Sequence, residues 1–117
     1  MKKDYKALAD NVGYSVQELT AEMPEFMRCF MAMSDSVKKE AEYLDEKTIR
    51  LIGLAVAVSM HCEPCISAHS RALVTLKAKR KEIAEAISVP VKMGGAPSLT
   101  YAADALRAFD VFGGEAD

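Results

Sequence analysis

The sequence predicts a single all-α domain of about five or six helices, and three observations carry the prediction. Apolar residues recur at spacings of three and four along most of the chain, the period of a helix face and not of a strand. Proline and glycine fall where helices start or stop, at Pro24, Pro64, Gly94-Gly95-Ala96-Pro97 and Gly113-Gly114. A length of 117 residues, without internal repeat, linker or low-complexity stretch, suits one compact core and leaves little for a second domain.

Pro24 suits the first turn of a helix, with Phe26, Met27, Phe30, Met31 and Met33 following at helical spacing. The stripe Met23, Met27, Met31 reads as core or helix–helix packing, because methionine fills irregular gaps. Cys29 lies among these large apolar residues and is expected to be core as well; its rival role is that of a further redox partner. The stretch from Ser34 to Glu42, with Lys38, Lys39, Glu40 and Glu42, reads as a solvated helix end.

Asp45 is placed to cap the next helix. From Leu51 to Met60 the residues are apolar or small on every side, so this helix is expected to be buried all round, at the domain centre or under another subunit. A buried strand is disfavoured by Gly53, Ala55 and Ala57. Pro64 restarts the chain as a helix to about Lys77. The cluster Lys77-Ala78-Lys79-Arg80-Lys81 then reads as a solvated turn, since cations favour a helix C-terminus. Helical periodicity resumes at Glu82-Ile83-Ala84-Glu85-Ala86-Ile87. Pro90 is expected to kink or delay the helix carrying Val91 and Met93. After the Gly94–Pro97 turn, Ser98 is placed to cap a last helix with Tyr101, Ala105, Leu106 and Phe109 on its apolar side, ahead of a short acidic tail.

Composition excludes several function classes. A net charge of −2 provides no field for nucleic acid or anionic lipid, and no aromatic residues interleave with the basic cluster. The charged start Met1-Lys2-Lys3-Asp4-Tyr5-Lys6 has no apolar stretch behind it, unlike a secretory signal. The longest apolar run is about half of the roughly 20 residues that a membrane crossing needs. Three cysteines, an odd number, argue against a secreted disulfide framework. A cytoplasmic protein with no membrane contact is expected.

Chemistry concentrates in His61-Cys62-Glu63-Pro64-Cys65-Ile66-Ser67-Ala68-His69. At about 100° per residue, Cys62, Cys65 and His69 share one helix face within two turns. With Pro64 fixing the first turn, both sulfurs sit near unpaired backbone N–H groups and the positive helix end, which stabilise a thiolate. His69 is placed to take a thiol proton. A zinc site built from Cys62, Cys65, His69 and His61 is the metal alternative, but structural zinc usually draws its second ligand pair from a distant segment. A pair of buried thiols beside a surface histidine is the plain structural alternative. A thioredoxin-type carrier would need a βαβ pattern, which is not visible. Thiol redox chemistry is the strongest reading, with no metal and no separate cofactor.

The segment from Leu44 to about Leu106 resembles the alkylhydroperoxidase D-like core of the carboxymuconolactone decarboxylase superfamily. The resemblance is carried by Leu44-Asp45-Glu46-Lys47-Thr48, the Ala-rich helix through Val58, Cys62-Glu63-Pro64-Cys65 with His69, Glu82-Ile83-Ala84-Glu85-Ala86, and Met93-Gly94-Gly95-Ala96-Pro97. It implies an all-α fold, a symmetric homo-oligomer (trimer or hexamer) with helices exchanged at interfaces, and reduction of hydroperoxide or disulfide substrates. It also implies a redox-active Cys62–Cys65 disulfide that a dithiol reductant protein restores. Family members often carry a relay Glu about a dozen residues before the first Cys. That position is Arg50 here, and Glu46, one turn earlier, and Glu63, inside the motif, are the candidates to replace it. Some relatives have a second His where this chain has Pro64. The decarboxylase branch typically lacks the Cys pair, which argues against lactone decarboxylation. A scaffold oligomer that has lost its relay is the non-enzymatic alternative.

Position at the helix start favours Cys62 as the low-pKa thiolate, whereas proximity to His69 favours Cys65. The expected sequence has Cys65 attacking peroxide, with Cys62 resolving the product and exchanging with the partner dithiol.

Overall fold

A computed structural model describes residues 3–114. The first two residues and the acidic tail lie outside them. The described residues form six helices in order: α1 (Tyr5–Glu22), α2 (Pro24–Glu40), α3 (Glu46–Ser59), α4 (Glu63–Thr75), α5 (Arg80–Gly94) and α6 (Ala96–Val111). Among the described residues there is no β-strand.

Helices α3 to α6 form the core. α3 packs on α4 and α5, α6 packs on the same two, and α3 touches α6 across the middle. Leu54 and Val58 of α3 meet Ile66 and Leu73 of α4, Ile83 of α5 and Phe109 of α6, all fully buried. α6 contributes Ala102, Ala105 and Ala108 to this interior, small side chains that let neighbouring helices approach. α1 has no separate expectation from the sequence; Asp4 caps it by accepting from the Ala7 N–H at 3.0 Å. It lies against α4, burying Tyr5, whose carbonyl accepts from the Ser67 hydroxyl at 3.1 Å. Burial raises the Tyr5 phenol to about 12.

Several expectations are corrected. α2 packs chiefly against α1, and only its Met27 is buried, so Met23 and Met31 are not core in this chain. The radius of gyration of 14.6 Å exceeds the roughly 13 Å of a compact domain near this length, as a projecting helix requires. Cys29, on the same helix, is exposed; its sulfur lies 3.8 Å from Glu25 and 3.7 Å from Arg28. Of the two covers expected for α3, the domain centre supplies one side only within the single chain. Leu54, Ala57 and Val58 face inward, while Ile52, Val56 and Met60 are exposed.

Pro90 lies inside α5 and does not delay it. The hydrogen bond that proline forfeits falls in the last turns of the helix, and the buried ring packs against the domain. Ser98 does not cap α6. The cap position is Gly95, with φ +74°, and Ser98 is buried one turn further in. Asp45 caps α3 as expected, accepting from the Thr48 N–H at 2.7 Å.

Candidate active site

The cysteine pair owes its position to the way α3 ends. His61 adopts the left-handed conformation, φ 56°, and two backbone bonds close the turn: His61 N–H to Val58 C=O at 3.2 Å and Cys62 N–H to Ala57 C=O at 3.0 Å. This Schellman arrangement stops α3 and leaves the very next residue, Cys62, at the N-cap of α4. Histidine tolerates such a conformation better than most residues. Here its ring stacks on Tyr101 of α6, with centroids 4.4 Å apart and planes 2° from parallel.

Cys62 has extended backbone at the cap, and its sulfur accepts from the Cys65 N–H at 3.3 Å. A disulfide joins Cys62 and Cys65, with Cα atoms 5.2 Å apart. Cys65 is exposed and Cys62 half-buried. The first turn of α4 therefore offers unpaired N–H groups to whichever sulfur carries charge once the bridge opens.

His69 follows Cys65 by one turn, and α3 holds its ring. Gly53 makes the room: a Cβ at that position would lie 2.4 Å from His69 Cε1. One turn earlier on α3, Arg50 Nη1 approaches His69 Nδ1 at 3.4 Å. A guanidinium only donates, so Nδ1 is the acceptor and the neutral ring carries its proton on Nε2. Burial, assisted by the Arg50 charge, depresses the His69 pKa. The imidazole is neutral near pH 7, and its one lone pair faces Arg50.

The family model for the carboxymuconolactone decarboxylase family matches residues 24–108, a span that holds the cysteine pair, His69 and Arg50. The chain belongs to the carboxymuconolactone decarboxylase family. The apo crystal structure of a carboxymuconolactone decarboxylase family protein from Legionella pneumophila is similar at a TM-score of 0.87 and 39% identity, covering 92% of this chain and 96% of that one. An uncharacterised protein of Cupriavidus necator is 27% identical over 110 residues, 94% of this chain and 96% of its own. One from Haemophilus influenzae is 40% identical over 70 residues, 60% of this chain and 61% of its own.

In this family member the site residues read from the sequence divide into groups. Cys62 and Cys65 are joined. His69 stands one turn away, with no hydrogen bond to either sulfur among the described residues. Glu46 shares a cleft of about 230 Å³ with Arg50 and His69, between the end of α2 and the start of α3. Its carboxylate pairs with Lys38 at 3.2 Å and makes no bond to the ring. Glu63 is drawn elsewhere, to the Lys3 ammonium, which also reaches Asp104 at 2.7 Å. These two carboxylates raise the Lys3 pKa.

Arg50 and Gly53 are the residues whose local roles the sequence did not disclose. A glycine inside an apolar helix was the available signal, since it costs stability unless something needs the space.

Proposed function

We propose that the protein is a thiol oxidoreductase that cycles Cys62 and Cys65 between dithiol and disulfide, with a hydroperoxide, or a substrate disulfide, as oxidant. The single observation that carries this reading is the Cys62–Cys65 disulfide on the first turn of α4, with Cys65 open to solvent. In the peroxide half-reaction the Cys65 thiolate attacks one peroxide oxygen. The O–O bond breaks, the alcohol leaves with a proton, and Cys65 becomes a sulfenic acid. The Cys62 thiolate then attacks that sulfur, forming the disulfide and releasing the oxygen, with a proton, as water. A dithiol protein returns two electrons and two protons by exchange. Exposure favours Cys65 as the sulfur that this partner attacks, in place of Cys62, and the thiolate released at the N-cap is stabilised by the helix end. The chemistry suits the cytoplasm, where reductant is abundant.

The test is a thiol count in denaturant. Fully reduced protein should titrate three thiols, and stoichiometric cumene hydroperoxide should leave one, mapping to Cys29. Retention of all three, or loss of Cys29 first, would overturn the reading.

The working form is a closed homo-oligomer, a trimer or hexamer by family resemblance. Two uncovered surfaces support it. Met23, Phe26, Phe30, Met33 and Val37 run along α2 at alternating steps of three and four, each 49–60% exposed. Leu51, Ile52, Val56, Val89 and Met93 line an apolar groove of about 450 Å³ between α3 and α5. Contiguous apolar surface of this kind marks an interface, and a stripe on one helix suits a groove on another copy. The doubly substituted Ile52→Asp/Val56→Asp protein should elute as a folded monomer, where the natural protein gives an oligomer by light scattering. A natural protein that is monomeric at micromolar concentration contradicts the assembly.

A further inference from the structure

Arg50 is half-buried, and among the described residues it contacts no carboxylate. Among the described residues its polar contact is the His69 ring, which leaves most of its five N–H donors without an acceptor there. It lines the cleft of about 230 Å³ with Val37 and Ile49 as apolar walls, His69 at one side, and Ser34, Asp35, Lys38 and Glu46 completing the polar lining. Lys38 is already paired with Glu46, whereas the guanidinium is not neutralised.

We infer that this cleft is a docking site for the carboxylate of a small organic acid, seated on Arg50 beside His69. The planar guanidinium fork matches a carboxylate in bidentate fashion. Val37 and Ile49 suit the hydrocarbon part of such a molecule. A phosphate would also fit the fork, but its second charge would face Asp35 and Glu46, so the monoanion is preferred. The volume suits a small acid and lies below that of ordinary drug-sized pockets.

Docking has a consequence for the reaction, and there it rests on the oxidoreductase reading. At present Arg50 occupies the lone pair that His69 would need to accept a thiol proton. A carboxylate that draws the guanidinium away frees that lone pair and cancels the charge opposing an imidazolium. The acid is then an activator, or the anionic end of the oxidising substrate itself.

The experiment titrates the full-length protein with sodium benzoate while the His69 ring signals are followed by NMR; His61, the only other histidine, serves as the internal control. Natural protein should show a saturable shift of His69 and a rise in its pKa, with His61 unmoved. Arg50→Gln should bind benzoate about tenfold or more weakly, the loss expected for a charged hydrogen bond. Arg50→Lys should keep part of the affinity, and both variants are checked for folding by the dispersion of their spectra. Benzamide, the neutral isostere, should leave the ring unmoved. Equal shifts with benzamide, or undiminished benzoate binding in folded Arg50→Gln, would overturn the site. A parallel arm distinguishes the two sources of the carboxylate. Faster oxidation of the reduced pair by cumene hydroperoxide in the presence of benzoate identifies an activator. A lower KM for its para-carboxylate derivative identifies an anionic substrate. If neither peroxide reacts, the oxidoreductase reading fails, while the benzoate titration still decides the site.

Discussion

Cys65→Ser should leave the protein inert toward hydroperoxide, whereas Cys62→Ser should react once and stop as a trapped sulfenic acid at Cys65. Both sulfurs share the α4 N-terminus, so the helix end alone does not rank them. Two other features do. Cys65 is exposed and reachable by a bulky peroxide, while Cys62 is half-buried at the cap. Cys65 also precedes His69 by four residues, the spacing at which helix neighbours meet. With Cys62 removed, no resolving thiol remains on α4, and the nearest alternative, Cys29, is on α2, which packs against α1. The sulfenate should therefore persist long enough for dimedone capture and mass mapping. A Cys65→Ser protein that still consumed peroxide, beside an inert Cys62→Ser, would reverse the two roles. Natural rates in both variants would end the redox reading.

What the sequence made legible was local. The helical period, the Asp45 cap and the shared face of Cys62, Cys65 and His69 follow from residues within a few positions of one another. The features it hid depend on neighbours distant in the chain. α2 has a clear apolar face, but periodicity cannot say what covers it, and most of it is uncovered in the single chain. The same limit applies to Cys29, whose apolar sequence neighbours suggest core although it is exposed on that helix. Likewise Ile52 and Val56 made α3 look apolar all round, although the fold buries only the side bearing Leu54 and Val58. The site follows the same pattern. Arg50 stood out as a departure at the relay position, yet its contact with a ring 19 residues away needed the α3–α4 packing. In the sequence Gly53 signals only a weak strand former, whereas its role depends on the His69 ring that α4 brings against it.

His69→Ala should slow peroxide reaction by about 10²-fold, the low end of the 10²–10⁴ typical of a general base. The low end is expected because Arg50 competes for the lone pair, at 3.4 Å from Nδ1. Arg50→Glu should reverse that competition. A carboxylate beside Nδ1 accepts its proton, turns the Nε2 lone pair outward and favours the imidazolium, so oxidation of the reduced pair should accelerate. Truncating His69 in that background should then cost more than in the natural one. The pH dependence fixes the sign. The folded protein holds His69 below its ordinary value of 6.5, through burial first and the Arg50 charge second. Its contribution to stability is thus fully present above pH 6.5 and is lost as pH falls through the depressed value, because the unfolded chain binds the proton more readily. In Arg50→Glu the folded value rises, and the contribution is instead lost as pH climbs through it. Urea midpoints between about pH 5 and 8 should therefore fall toward acid for the natural protein, less steeply for His69→Ala and least for Arg50→Glu. The acid limb of the peroxide rate should move upward in pH with Arg50→Glu. A limb that stays in place in that folded variant would show that Arg50 does not control His69.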